Sequence, residues 1–430
     1  MITRIEASNY RCFARLSVDV DRYQVLAGAN GSGKTTLLDI PLLLGDLLRA
    51  QRIADAFLRS ERSGRAPRAT SFTELLYNGR GTDLVFAVQA RLPPTIQATL
   101  ARGSAATTRR APPTHIRYEL RLEVFNRKLE VAEEYLFLFA EDDDPPEPGI
   151  PLQGSAASGR KVPGSKWWPV ITRRLGARTE LAAETTTRGP RLPDLRIEKV
   201  QLALASVPAD DSLFPAARWF IGLLRARAVC YDPDWTALRL PAPPGDPFEV
   251  IPDGRNTPWL AQAMREEDPT SFRLWVDHVR TALPQLLDID VREREEDHHA
   301  YFVLDYVGGH RVTSSGLSDG TVRILALSVL PYLQAEALPQ LLVTEEPENG
   351  IHPQAIATVL ASLSSIQHSQ VWISTHSPVV LASTELGDVL AARLDDDGSA
   401  DVIRGDRHPR LRDWRGSIDL GSLFASGVLS

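Results

Sequence analysis

Hydrophobic and polar positions alternate near the start of the chain. Ile2 and Ile5, then Leu16, Val18 and Val20, are separated by polar side chains, and Gln24-Val25-Leu26-Ala27 runs into a glycine-rich turn. This period predicts two or three short strands. After the turn, Leu37, Leu38, Leu42, Leu44, Leu47 and Leu48 recur at roughly helical spacing. Pro41 falls inside that helix, where its missing N–H predicts a kink or a reshaped turn. Three segments, 84–92, 116–125 and 129–139, are rich in β-branched and aromatic residues, the last two joined through Asn126-Arg127-Lys128. They predict an antiparallel meander.

The texture changes at Glu141. The acidic, proline-rich EDDDPPEPG and the following PLQGSAASGRKVPGSKWW hold too little patterned apolar content for a core, so they predict a loop-like boundary or insertion. Between Asp211 and Leu287 the pattern is helical, with Phe214, Trp219, Phe220, Leu223 and Leu224 in one segment and Phe272, Trp275, Val276, Val279 and Leu283 in another. Strands return at 289–291 and 301–306. A helix after Asp319, a strand at 340–344, a helix from about Pro353 and a strand at 371–374 follow. Strand and helix alternate at both ends, which predicts one α/β domain split by an insertion. The expected lobes are residues 1–140 and 289–430, with 141–288 as a mainly helical insertion. No internal repeat or sustained heptad is visible.

Composition narrows the class. The 430 residues carry 48 basic and 55 acidic side chains, a net charge of −7 with 43% hydrophobic content, which is an ordinary soluble balance. No apolar run approaches the roughly 18 to 20 residues that span a bilayer, and Met1 is followed by no charged-then-apolar leader. A cytoplasmic protein without membrane contact is expected. Cys12 and Cys230 are the only cysteines and stand far apart, which excludes disulfide frameworks and zinc ribbons.

Candidate chemistry begins at Gly28-Ala29-Asn30-Gly31-Ser32-Gly33-Lys34-Thr35, a full match to GxxxxGK[ST] between a strand and a helix. Glycines let backbone N–H groups cradle phosphate oxygens, and the helix N-terminus adds positive potential. Lys34 reaches the terminal phosphates and the Thr35 hydroxyl ligates magnesium. Thr36 is expected on the α-phosphate side. A nucleotide site also needs carboxylates at a strand end. Leu341-Leu342-Val343-Thr344-Glu345-Glu346-Pro347 supplies them, with Glu345 for the metal shell and Glu346 for the base. Ser315-Gly316-Leu317-Ser318-Asp319-Gly320-Thr321 opens a helix and reads either as a second anion site or as a helix cap. Val371-Trp372-Ile373-Ser374-Thr375-His376-Ser377 sets a histidine just past a strand, in reach of a γ-phosphate oxygen or in a structural role.

Taken in this order, the motifs resemble the ABC-type ATPase head of the group that holds RecF, the SMC proteins and the overcoming-lysogenization-defect nucleases. The resemblance rests on NYRCF at 9–13, GANGSGKTTLLD from Gly28, LSDGT from Leu317, EEPENGIHP from Glu345 and STHSP from Ser374. It leaves the middle third unmatched. It implies an α/β P-loop head with ATP and Mg2+ as ligands, slow hydrolysis and a homodimer or an assembly of dimers. In such a dimer Ser318 and Gly320 meet the γ-phosphate held by the opposite protomer. Asn30, Gly31, Ser32, Gly33, Lys34, Thr35 and Thr36 then line the phosphates, Arg11 resembles the arginine that reaches the nucleotide, and His376 resembles the switch histidine. Asn349 and His352 lie in the loop after the catalytic glutamate. Glu345 stands where many such ATPases have aspartate, and the coupling glutamine is open between Gln51 and Gln89.

No acidic TOPRIM-like cluster follows STHSP, so a nuclease or toxin-like effector is expected on another chain, in a role against phage that the resemblance implies. The rival readings are a RecF-like repair ATPase that grips DNA itself, a transport ATPase and an inactive homologue. The stretch 160–199 carries Arg160, Lys161, Lys166, Arg173, Arg174, Arg178, Arg188, Arg191, Arg196 and Lys199 against four acids, with Trp167 and Trp168 embedded. It reads either as a single-strand track or as an arginine-rich solvated loop. The apolar segment 414–424 is expected to pack on the head or on a partner.

Overall fold

In the computed structural model, residues 1–59, 66–102, 111–141, 168–174, 178–186, 196–395, 397–411 and 419–427 are described. The chain divides into two compact units. The first is Met1–Asp21, Gly31–Arg227 and Ala392–Ile403, and the second is Arg22–Asn30, Ala228–Ala391 and Arg404–Ser430.

The first unit is built on a seven-stranded sheet. Its order is Phe13–Asp19, Ile2–Tyr10, Asp83–Arg91, His115–Phe125, Lys128–Phe139, Trp168–Arg173 and Glu180–Leu181. Every pairing is antiparallel. The meander expected from the sequence is its centre. Asn126 and Arg127 both have positive φ, at 49° and 61°, and Phe125 pairs with Lys128. That two-residue turn has the twist that right-handed strands require. Trp168–Arg173 begins at the last residue of the stretch expected to be loop-like, because Val170, Ile171 and Thr172 favour a pleated, half-buried surface.

The helix Lys34–Arg49 does not break at Pro41 and continues through it as one 16-residue element. Twelve of those residues are buried, and this packing outweighs the roughly 3 kcal/mol that an interior proline costs. One of its neighbours in the unit is the helix Pro215–Arg225. The approach is so close that a Cβ on Gly45 would lie 2.1 Å from the Leu224 carbonyl oxygen. That second helix is capped from a distance. Glu184, fully buried, accepts from the N–H groups of Ala216 at 2.6 Å and Ala217 at 2.8 Å, satisfying donors that a helix start leaves open.

In the second unit, four strands pair in parallel in the order Tyr23–Gly28, Gln370–Thr375, Leu341–Glu345 and Ala228–Cys230. Nearly all of their residues are buried, as parallel strands covered on both faces demand. Ala228–Cys230 lies inside the region expected to be helical. Three residues are too few to show a period, and its place comes from pairing with Leu341–Val343. A separate antiparallel sheet holds Leu286–Glu293, Ala300–Tyr306 and His310–Thr313. The helices Pro269–Ala282, Asp319–Ser328 and Pro353–Ser365 share one core with these strands. Trp275, fully buried in that core, donates from Nε1 to Ser328 Oγ at 2.9 Å, so its one polar atom is satisfied. The mixed α/β class and the alternation expected at the C-terminal end are thus both present.

Candidate nucleotide site

Three strands of the second unit end side by side where the chemistry was expected. Ala27, at the end of the strand that enters the glycine-rich loop, is in register with Thr375, and Glu345 is in register with Ser374. Gly28, the acidic pair and His376 therefore leave one sheet at one edge, the carboxyl end of parallel strands where α/β folds place ligands.

Glu346 is the turning point. Its φ is +45°, a left-handed conformation that costs a residue with a Cβ on the order of 1–2 kcal/mol. Two hydrogen bonds hold it: Glu346 N–H donates to the Ser374 carbonyl at 2.9 Å and Asn349 N–H donates to the Glu346 carbonyl at 3.0 Å. Both carboxylate oxygens are engaged as well. His376 Nδ1 lies 2.8 Å from Oε1, and Asn349 Nδ2 donates to Oε2 at 2.8 Å. The imidazole is half-exposed and the carboxylate partly so, which leaves this pair open to an incoming ligand.

Glu348 is a third acid that the motif reading passed over. Burial pushes its carboxyl above the ordinary carboxylate value, against the pull of the Thr375 hydroxyl, which donates to Oε1 at 2.5 Å. Its Oε2 is buried with no hydrogen-bond partner among the described residues. Its signal in the sequence is its place in Glu345-Glu346-Pro347-Glu348.

Ser318 is the N-cap of the helix Asp319–Ser328, its Oγ accepting from Thr321 N–H at 3.2 Å. The helix-cap reading of this turn is therefore realised, and the turn still presents a helix N-terminus. Gly320 follows, and a Cβ there would lie 2.6 Å from the Gly350 carbonyl oxygen. Arg239 fastens the same turn, donating from Nε to the Leu317 carbonyl at 2.9 Å and pairing with Asp319 at 2.5 Å.

The glycine-rich loop passes from the second unit, which holds Gly28, Ala29 and Asn30, into the first, which begins again at Gly31. In the first unit Gly31 and Gly33 have φ of +82° and +94°, where glycine alone is unstrained. Lys34 opens the helix and is buried, as is Ser32, whose Oγ has no hydrogen-bond partner among the described residues. Left-handed glycines, an unmatched buried hydroxyl and a helix start with a lysine form a cradle that suits phosphate oxygens. Thr35 is the first hydroxyl after it. Thr36 hydrogen-bonds the Cys12 thiol, which burial raises above its ordinary pKa.

Arg11 also sits at positive φ, +52°. Its guanidinium donates to the Arg68 carbonyl and its N–H to the Leu75 carbonyl. Arg68 in turn grips Asp39 through Nε at 2.6 Å and Nη2 at 2.8 Å, and Asp46 at 2.7 Å. These two acids lie on the helix that the loop opens, so the arginine fastens that helix inside the unit.

No group of three or more His, Cys, Asp or Glu side chains arranged for a metal occurs among the described residues. Magnesium bound with a nucleotide needs only one or two protein oxygens, and Thr35 and Glu345 are chemically of the right kind.

In the basic stretch, Arg160, Lys161, Lys166, Trp167, Arg188 and Arg191 lie outside the described residues, as do residues 414–418 of the apolar segment 414–424. Arg173 is not at the surface. It is buried, donating to the carbonyls of Gln201 at 2.7 Å and Glu198 at 3.0 Å, with Glu134 at 3.5 Å. Lys199 pairs with Glu130 at 3.1 Å.

Residues 239–382 match a family described as "AAA domain, putative AbiEii toxin, Type IV TA system", a span that includes Ser318, Glu345, Glu346 and His376. Among solved structures, an SMC head bound to the C-terminal winged-helix domain of ScpA has 11% identity and a TM-score of 0.51, covering 94% of this chain and 96% of that one. An SMC head with an extended coiled coil from Pyrococcus furiosus, bound to the C-terminal domain of ScpA, has 11% identity over 94% and 95% of the two chains, with a TM-score of 0.46. An SMC head domain from Thermotoga maritima has 10% identity over 94% and 98%, with a TM-score of 0.42. No curated protein matches the chain in sequence. Among the described residues, no helix is long and apolar enough to cross a membrane.

Proposed function

From the premise that this chain has the fold of an ABC-type ATPase head of the SMC and RecF group, we propose that it binds and hydrolyses ATP as a dimeric switch that controls a separate effector. That effector is a nuclease or toxin-like protein of anti-phage defence. The observation that carries the reading is the strand-end set of Glu345, Glu346 and His376, on the two strands next in order to the strand that enters the phosphate loop.

Lys34 and the N–H groups of the loop hold the phosphates, Ser32 Oγ gains the partner it lacks, and Ser318 and Gly320 present a helix start to the γ-phosphate on a second copy. Magnesium, held by Thr35 and Glu345, would neutralise charge on the β- and γ-oxygens. Glu346 takes a proton from water as the water oxygen bonds to the γ-phosphorus. The bond to the β,γ-bridging oxygen breaks, and ADP leaves with its electron pair. His376 holds Glu346 in line and meets the phosphoryl oxygens. Because the γ-phosphate exists only before hydrolysis, differential contact with it is what biases the closed dimer.

Arg173, within the basic stretch, is buried in structural contacts, so that residue lends no support to direct gripping of DNA. The test is turnover and copurification with the Glu346→Gln protein. It should keep ATP, lose on the order of a hundredfold or more in hydrolysis, accumulate a dimer and retain a stoichiometric partner encoded nearby. Normal hydrolysis by this variant would refute the role of Glu346, and a lone dimer carrying DNA would replace the switch by the repair reading.

A further inference from the structure

One side chain outside both motifs joins the signature turn to the loop that follows the acidic pair. Arg323 lies one turn into the helix that Ser318 caps, and its side chain is 7% exposed. Nη1 donates to the Asn349 carbonyl at 2.5 Å, Nη2 reaches Asp232 Oδ1 only at 3.4 Å, and the guanidinium lies over the Trp235 ring at 4.9 Å. Its Nε has no hydrogen-bond partner among the described residues. A nearly buried guanidinium with so few acceptors is a poor source of stability, since desolvation of a charge is costly unless its donors are matched. Its one short hydrogen bond goes to Asn349, and Asn349 holds Glu346 twice, through Nδ2 to Oε2 and through N–H to the carbonyl. Gly320 and Gly350 close the same junction from the backbone side.

We propose that Arg323 is a positioning residue that ties the orientation of Glu346 to the state of the signature turn in the same chain. The inference rests on the ATPase reading above. A γ-phosphate engaging Ser318 and Gly320 draws the first turn of the helix toward it. Arg323 moves with that helix, the Asn349 carbonyl follows, and the Asn349 amide releases Glu346 Oε2 for water. Since the signature turn faces the nucleotide of the other protomer, each site is licensed by occupancy of its partner, and the two turn over together.

The experiment is a double-mutant cycle on the full-length chain with Arg323→Ala, Asn349→Ala and the pair. It is repeated with Arg323→Lys, which keeps charge and a single donor. Turnover, ATP affinity and the Hill coefficient for ATP are measured, with thermal melting as the check on folding. Arg323→Ala is expected to lower kcat about tenfold with ATP affinity within about twofold, to bring a Hill coefficient near 2 down toward 1, and to add nothing to Asn349→Ala. Arg323→Lys should recover part of kcat. Effects that multiply, a loss confined to ATP affinity, or unchanged turnover in a folded Arg323→Ala protein would overturn the proposal. Should Arg323→Ala fail to fold, the cycle with Arg323→Lys decides on the same criteria. The unmodified protein separates the two readings. Hydrolysis that Glu346→Gln does not lower removes the ATPase reading and this role with it, whereas normal hydrolysis with multiplicative effects removes this role alone.

Discussion

A Cβ on Gly320 would stand 2.6 Å from the carbonyl oxygen of Gly350, so the signature turn and the loop after the acidic pair meet backbone to backbone. In an ordinary helix Gly→Ala gains up to about 1 kcal/mol. Here the obstacle is a main-chain carbonyl, and overpacking of about 1–3 kcal/mol wins. Gly320→Ala is expected to push the two segments apart, lowering turnover by tenfold or more while ATP affinity for the phosphate loop changes little. Steady-state kinetics beside equilibrium ATP binding checks this. Turnover equal to that of the unmodified protein would show that the junction has room the distance denies.

Arg173 gives the opposite of a surface arginine's behaviour. It is buried between the carbonyls of Gln201 and Glu198 and beside the fully buried Glu134. Arg173→Glu would set two carboxylates together in the interior, and loss of a buried partner costs on the order of 3–5 kcal/mol. The variant is expected to unfold or to melt far below the unmodified protein, whatever nucleic acid is present. Melting within a degree or two of the unmodified protein would contradict the buried arrangement.

That correction marks where the sequence was legible. The strand from Tyr23, the glycine-rich loop, the strand into Glu345 and the strand into Thr375 each join a buried apolar run to residues with one chemical use, so pattern and chemistry reinforced each other. The hairpin turn at Asn126 was legible for the same reason. Arg173 was not, because an arginine among arginines has no period that tells a buried partner from a solvated face. Ala228–Cys230 is too short to show one, and Pro41 is carried inside one continuous buried helix. Asn349 was noticed as part of a loop. Its grip on Glu346, like that of Arg323 on Asn349, depends on contacts across residues far apart in the chain, which no local spacing reports.

Acid should weaken the first unit through Glu6. Burial works to raise its carboxyl, but the Arg117 guanidinium at 2.5 Å and Arg4 at 2.7 Å prevail and hold it below its ordinary value of 4.5. Between the depressed folded value and 4.5 the unfolded chain binds more protons. Stability from this group is therefore complete above about 4.5 and is lost as pH falls through the folded value. Glu6→Gln should cost on the order of 3 kcal/mol at neutral pH and flatten the acid limb of a stability-against-pH curve from denaturant titrations. A parallel acid limb in both proteins would assign the loss to other carboxyls.

Phe13, in NYRCF, lies against the glycine-rich loop at Gly33. Within the first unit, a Cβ on Gly33 would lie 2.9 Å from Phe13 Cζ and 3.0 Å from Cys12 Sγ, whereas one on Gly31 would meet nothing within 4 Å. Both glycines have positive φ, +94° and +82°, so alanine at either bears backbone strain of about 1–3 kcal/mol. Only at Gly33 is contact added. Phe13 is fully buried and cannot swing into solvent, so the loop must lift off it, and lifting carries the phosphate-facing N–H groups out of line. ATP affinity measured by calorimetry should therefore fall for Gly31→Ala and fall further, by about tenfold, for Gly33→Ala. Shortening the obstacle with Phe13→Leu should return part of that difference at Gly33 and none at Gly31. Equal losses at the two glycines, unmoved by Phe13→Leu, would mean that strain alone sets the loop and that Phe13 serves only the core.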